Sequence, residues 1–211
     1  MKKRLVICLF MLCGSMLRVQ AEDGSRLWLR QNNDAQAQVT ASRHSPTLNI
    51  TIKELQQAWK GMPVALLLKK DKQLSPEGFS IRQEKDSYSI TSPTETGLLY
   101  AAYHLLRLQE TGVSSQRLNI LENPTYDYRI LNHWDNLDRT VERGYAGHSL
   151  WDWEALPNAN SDRYTAYARA NASIGINGTV LNNVNASSLI LSEDYLQKVK
   201  ALAEIFRPYG I

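Results

Sequence analysis

The chain has 211 residues, 43% of them apolar and 21% charged, with a formal net charge of +3. This composition excludes a collagen-like, disordered or coiled-coil protein, and the length admits one or two domains. Both the charge and the cysteine count change once the N-terminus is read.

Lys2, Lys3 and Arg4 form a basic start, Leu5 to Leu17 an apolar run, and Val19-Gln20-Ala21 a small-x-small cleavage pattern. Residues 1–21 are expected to be a cleaved export signal. The run is shorter than the roughly 20 residues that span a bilayer. Four of the 24 basic residues lie in this segment, so residues 22–211 hold 20 basic and 21 acidic residues, a net charge of −1. Nucleic acid is therefore not an expected partner. Nor is a membrane once the signal is cleaved, and the expected location is periplasmic or extracellular. Cys8 and Cys13 leave with the signal, so no disulfide, thiol nucleophile or Cys-ligated metal is expected in the remainder.

In chain order, Leu27-Trp28-Leu29, Val39-Thr40-Ala41 and Leu48-Asn49-Ile50-Thr51-Ile52 alternate as strands do. Lys53 to Lys60 reads as a helix with Leu55 and Trp59 on one face. Val64 to Leu68 is a continuous apolar run between polar flanks, the pattern of a buried strand. Gly78 to Arg82 and Ser87 to Thr91 alternate on either side of Glu84-Lys85-Asp86, which predicts a hairpin. Leu98, Ala101, Ala102, Leu105 and Leu108 fall at helical spacing, and Thr111-Gly112 ends that helix. Strands followed by a covering helix make a small α+β layer domain over residues 22–122.

From Asn123 the rhythm changes. Tyr128 to Trp134 reads as a strand. Residues 161–173 read as a helix capped by Ser161 or Asp162, Thr179 to Val184 as a second strand, and Ser192 to Phe206 as a second helix ended by Pro208-Tyr209-Gly210. Strand–helix–strand–helix is the unit of a parallel sheet or barrel. A (β/α)8 barrel needs about 250 residues, so residues 123–211 hold only the first two βα units of an incomplete TIM barrel.

The polar clusters stand at the ends of these two strands, as Asn132-His133-Trp134-Asp135-Asn136 and Asn182-Asn183-Val184-Asn185. In α/β barrels ligands lie against that face. Amides, a carboxylate and an indole suit a sugar, whose hydroxyls need paired donors and acceptors and whose C–H face packs on an aromatic ring. The connection from Arg139 through Gly147 to Trp151 and Trp153 is longer than usual, which itself hints at function. Its carboxylates Asp152 and Glu154 read as surface ion pairs with Arg139 and Arg143. His104 reads as structural, and no histidine spacing suggests a metal site.

The run Asn132 to Asp138, continuing to Glu142-Arg143-Gly144-Tyr145-Ala146-Gly147, resembles α-glucuronidases of glycoside hydrolase family 67. So does Tyr167 to Gly178 with Asn182-Asn183-Val184-Asn185. The part before Asn123 is similar to the small α/β domain that precedes the barrel in this family and in β-hexosaminidases. The resemblance implies xylan degradation. The reaction would be hydrolysis, with inversion and without metal or cofactor, of the α-1,2 bond between (4-O-methyl-)glucuronic acid and the terminal xylose of xylo-oligosaccharides. It implies that Trp134 shapes the sugar subsite, that Val184 contacts the 4-O-methyl group, and that Asp135, Asn136 and Asn183 are polar contacts. It places the catalytic carboxylates on later strands, so none is assigned here, and it leaves open a homodimer for the full-length enzyme. The alternative reading is a non-catalytic carbohydrate-binding or interaction module.

Overall fold

The computed structural model describes residues 28–29, 35–113, 118–158 and 162–211. The export signal and Leu27 lie outside the described residues, as does Ser161. Trp28 is in a turn and Leu29 in no regular element, so neither forms the expected strand.

Strand β1 (Val39–Ala41) leads into helix α1 (Pro46–Ala58). The helix takes in Leu48 to Ile52, where alternation predicted a strand. Two local features override the β-branched Ile50, Thr51 and Ile52. Ser45 is the N-cap, its hydroxyl accepting from Leu48 N at 3.1 Å, and Pro46 fills the first helical turn. Leu48, Thr51, Leu55 and Ala58 then share one buried face at helical spacing. The Thr51 hydroxyl donates back to Thr47 O at 2.9 Å, satisfying it inside the helix.

Strands β2 (Val64–Leu68), β3 (Phe79–Gln83) and β4 (Tyr88–Ser92) follow, the last two as the expected antiparallel hairpin. Helix α2 (Glu95–Glu110) is capped by Thr94, whose Oγ1 accepts from Gly97 N at 3.2 Å. It ends at Gly112, which has a φ of 74° that few other residues adopt. Strand β5 (Asn119–Glu122), which the sequence reading did not anticipate, adds to the edge. The sheet order is β1-β2-β4-β3-β5, with β1, β2 and β4 parallel and β3 antiparallel to both of its neighbours. The register sets Leu66, Ile90, Ile81 and Ile120 in one row across four strands. Leu66, Ile81 and Ile90 are buried along with Leu98, Leu99, Ala101, Ala102, Leu105 and Leu106 of α2.

Beyond Pro124, strand β6 (Ile130–Asn132) pairs in parallel with β7 (Gly178–Val180), and helix α3 (Asp162–Ser173) is the crossover between them. Both strands are shorter than their sequence patterns. After Asn132 the backbone leaves the ladder to join a long loop, though His133 N still reaches across to Val180 O at 3.0 Å. Gly178 sits opposite Ile130, where an added Cβ would lie 2.9 Å from Ile130 Cγ1. A 3-10 turn (Ser188–Leu191) precedes helix α4 (Glu193–Phe206). Ser192 is its N-cap by position, but its side chain makes no cap bond; Glu193 and Asp194 supply the negative charge that the helix start favours.

The faces of β6 and β7 are not covered as a buried parallel sheet would require. Ile130 is 49% and Val180 42% exposed. Packing here comes instead from rings. Trp151 meets His133, Tyr164, Tyr167 and Phe206 at centroid distances of 5.0 to 6.0 Å, and Trp153 meets Tyr195 at 5.6 Å.

Residues 31–211 form one compact unit. Arg169 on α3 grips Glu54 on α1 with two hydrogen bonds, Nε to Oε1 at 2.5 Å and Nη2 to Oε2 at 2.8 Å. Arg107 Nη2 donates to Ser173 O at 2.7 Å. Glu77, ahead of β3, pairs with Arg129 and accepts from Asn177 Nδ2. Among the described residues, no helix is long and apolar enough to cross a membrane.

Candidate functional site

The C-terminal ends of β6 and β7 bring together the two clusters that the sequence set about 50 residues apart. Trp134 follows β6 and is 44% exposed; Val184 lies in the turn after β7 and is 88% exposed. An apolar side chain that open is uncovered by its own fold. Between the two lies Asn183, 5% exposed. Asn183 N donates to Asp135 O at 3.0 Å, so the two strand ends stay joined beyond the regular ladder.

Asp135 is 4% exposed and faces inward. Its Oδ2 accepts from Ser149 Oγ at 2.5 Å, and Ser149 Oγ in turn accepts from Trp151 N at 3.0 Å. Its Oδ1 lies 3.9 Å from His133 Nδ1, beyond hydrogen-bond range. His133 Nε2 and the Tyr167 hydroxyl are 2.8 Å apart, and that hydroxyl is 3.0 Å from Thr179 Oγ1 on β7. Burial pushes the His133 imidazole below its usual pKa, against the pull of Asp135. Burial likewise pushes the Tyr167 phenol up, opposed by its bond to Thr179. The arrangement is a polar network beneath the strand ends, joining His133, Tyr167 and Thr179 on one side and Asp135, Ser149 and Trp151 N on the other. Tyr167 stood in the sequence only as part of a helix pattern and of the family resemblance, and Ser149 carried no signal, because only the fold brings them to this network.

The loop from residue 135 to residue 158 is structured by its own bonds. Isolated bridges join Asp135 to Val141 and Thr140 to His148. Arg139 and Glu142 both take positive φ, at 70° and 59°. Arg139 Nη1 pairs with Asp152 Oδ2 at 3.0 Å, the expected surface ion pair, while Arg143 is exposed. Thr140 donates to Asp138 through both its backbone N–H and its hydroxyl, and these bonds hold the Asp138 carboxyl below its usual pKa. His104 packs on Phe79 in α2, as a structural histidine does. Among the described residues no cluster of three His, Cys, Asp or Glu side chains could hold a metal ion.

Away from the strand ends, residues of β3, α2 and α3 contribute to an open pocket of about 370 Å³ lined by Phe79, Tyr100, His104 and Arg107 among others. Burial pushes the Tyr100 phenol up to about 12, with Glu77 adding to the shift.

The fold is similar to those of two solved structures. A GH138 enzyme targeting pectin rhamnogalacturonan II matches with a TM-score of 0.56 at 14% identity, covering 83% of this chain and 30% of that one. The structure of CpGH84B matches with a TM-score of 0.50 at 12% identity, covering 83% and 32%. These likenesses concern the fold alone.

Residues 108–211, which contain both strand ends, match the middle domain of glycosyl hydrolase family 67, and this segment belongs to that family. Its relatives are α-glucuronidases. A probable α-glucuronidase A of Aspergillus fumigatus is 37% identical over 139 residues, 66% of this chain and 16% of that protein. The α-glucuronidase A of Emericella nidulans is 37% identical over 145 residues, 66% of this chain and 17% of that protein. The chain thus spans under a fifth of the length of the curated relatives it matches.

Proposed function

We propose that this chain is part of an exported α-glucuronidase that acts in xylan degradation. The enzyme would cleave the α-1,2 bond between (4-O-methyl-)glucuronic acid and the terminal xylose of xylo-oligosaccharides, with inversion. In this reading residues 22–122 are a small α/β domain and residues 123–211 open a (β/α)8 barrel with its first two βα units. The parallel β6–β7 pair with its α3 crossover supports that reading, as do the exposed strand faces that further strands would cover.

One observation carries the proposal. Within the segment that matches the family, an exposed indole and an exposed valine follow two strands that pair in parallel, at the ends where a barrel presents its ligand. Trp134 offers a ring for the C–H face of the sugar, and Val184 a methyl-sized contact for the 4-O-methyl group. Inversion needs an acid and a base roughly 6.5–9.5 Å apart with water between them. Asp135 is buried and bonded to Ser149, and no carboxylate of this chain is assigned a catalytic role. Arg139 is drawn to Asp152, whereas Arg143 is exposed and could assist in holding the uronate.

Calorimetric titration tests the proposal. Xylo-oligosaccharide bearing 4-O-methyl-glucuronic acid should bind the chain, and Trp134→Ala should abolish the heat. Equal binding of unsubstituted xylo-oligosaccharide would favour a general carbohydrate-binding module instead.

A further inference from the structure

Two amides, the buried Asn183 and the half-buried Asn136, link the exposed pair. Asn183 Nδ2 donates to Asn136 Oδ1 at 2.5 Å and to Trp134 O at 3.3 Å. Its Oδ1 accepts from Asn185 N at 2.7 Å, which closes the turn that carries Val184, and its backbone O accepts from Ala186 N at 3.1 Å. On the other side, Asn136 Nδ2 donates to Glu142 O and to Thr140 Oγ1, both at 2.9 Å. Glu142 N donates to Trp134 O at 2.7 Å. The Trp134 carbonyl is therefore held from two directions, by the loop and by the Val184 turn.

The amide orientations are fixed by the backbone groups they face. Asn183 must turn its NH2 to a carbonyl and its oxygen to an N–H, and Asn136 must turn its NH2 to the Glu142 carbonyl. This leaves Asn136 Oδ1 as the acceptor for Asn183. Each side chain both donates and accepts, so neither Asp nor Leu can replace it without stranding a buried partner.

We infer that Asn136 and Asn183 are positioning residues. They form a clamp that fixes the separation of the Trp134 indole and the Val184 side chain, and so the size of the sugar substituent admitted between them. This rests on the uronic-acid reading of the site for its ligand, but the clamp itself does not. Neither amide needs to touch the sugar. Asn183 is the more critical member, because its side chain both bonds to Trp134 O and closes the turn that carries Val184.

The clamp is tested on the full chain labelled with 5-fluorotryptophan, which places a fluorine on each of its five tryptophans. The Trp134 signal is assigned through Trp134→Phe. Asn183→Asp, and the milder Asn136→Ser should the first fail to fold, are expected to shift or broaden the Trp134 signal while the Trp59 signal stays in place. In titrations the preference for 4-O-methylated over unmethylated oligosaccharide should then fall by about tenfold, the scale of one stranded buried amide. A Trp134 signal that both substitutions leave in place overturns the clamp, whatever the sugar does. If the substitutions move the signal but oligosaccharide leaves the wild-type spectrum untouched, the clamp stands and the uronic-acid reading fails.

Discussion

The two parts of this chain solve the same packing problem differently. In residues 39–122 a five-stranded sheet buries a continuous row of aliphatic side chains under α2, and Leu55, Ile81, Ile90, Leu98 and Leu105 are fully buried. In residues 123–211 the two strands leave all or much of their surface open, and the core is a cluster of rings carried by helices and a loop. Two of those rings, Trp151 and Trp153, are buried with no hydrogen-bond acceptor for their indole N–H groups within the protein. The first part is stabilised by apolar area removed from water on both partners. The second depends on fewer and larger contacts, and also on ion pairs to the first. A region built that way is expected to open first.

Four measurements would break or sharpen the contrast. Trp151→Ala removes the centre of the ring cluster and should cost about 3–5 kcal/mol in a urea melt. Amide exchange should show β6, β7 and α3 losing protection while β2, β3 and β4 keep theirs; uniform loss would erase the distinction between the parts. Glu54→Ala should cost less, about 1–3 kcal/mol, because it strands the Arg169 guanidinium, which is already a third open to solvent. Its effect belongs to the docking of α3 on α1, so exchange in α3 should rise ahead of that in the sheet. Trp134→Ala should change stability by less than about 1 kcal/mol, since the indole is half exposed. An effect as large as that of Trp151 would make Trp134 a core residue instead of a sugar contact.

The smallest effect is one of pH. Burial lowers the native pKa of both His104 and His133, so between that lowered value and the ordinary pKa near 6.5 the unfolded chain binds more protons than the native one. Stability should be fully present above about pH 6.5 and fall as the solution is acidified below it. Thermal melts from pH 7.5 down to pH 5.5 check the sign. His133→Gln should weaken the dependence in the ring-cluster part, and His104→Gln in the sheet part.

Much of the fold was legible because local pattern and tertiary demand agree. The hairpin of β3 and β4 alternates apolar and polar residues, and one face is indeed buried. Helices α2, α3 and α4 show helical spacing in the residues they bury. Where the two demands differ, the pattern misled. Leu48 to Ile52 alternates like a strand, yet Ser45 and Pro46 start a helix there. Strand β5 is an edge whose side chains are mostly exposed, so burial wrote little into its composition.

The candidate site divides the same way. Sequence alone singled out Trp134, Asp135, Asn136, Asn183 and Val184, because polar and aromatic residues gather at the ends of two strand patterns. It also determined the family, since the motifs that carry the resemblance are contiguous in the chain. It could not rank those five residues. Only the tertiary structure drew Asp135, Asn136 and Asn183 into bonds within the protein and left Trp134 and Val184 facing solvent. The physical reason is that an amide or carboxylate bonds a partner 14 or 47 residues away as readily as it bonds a ligand. Which of the two it meets depends on what the fold places within 3 Å.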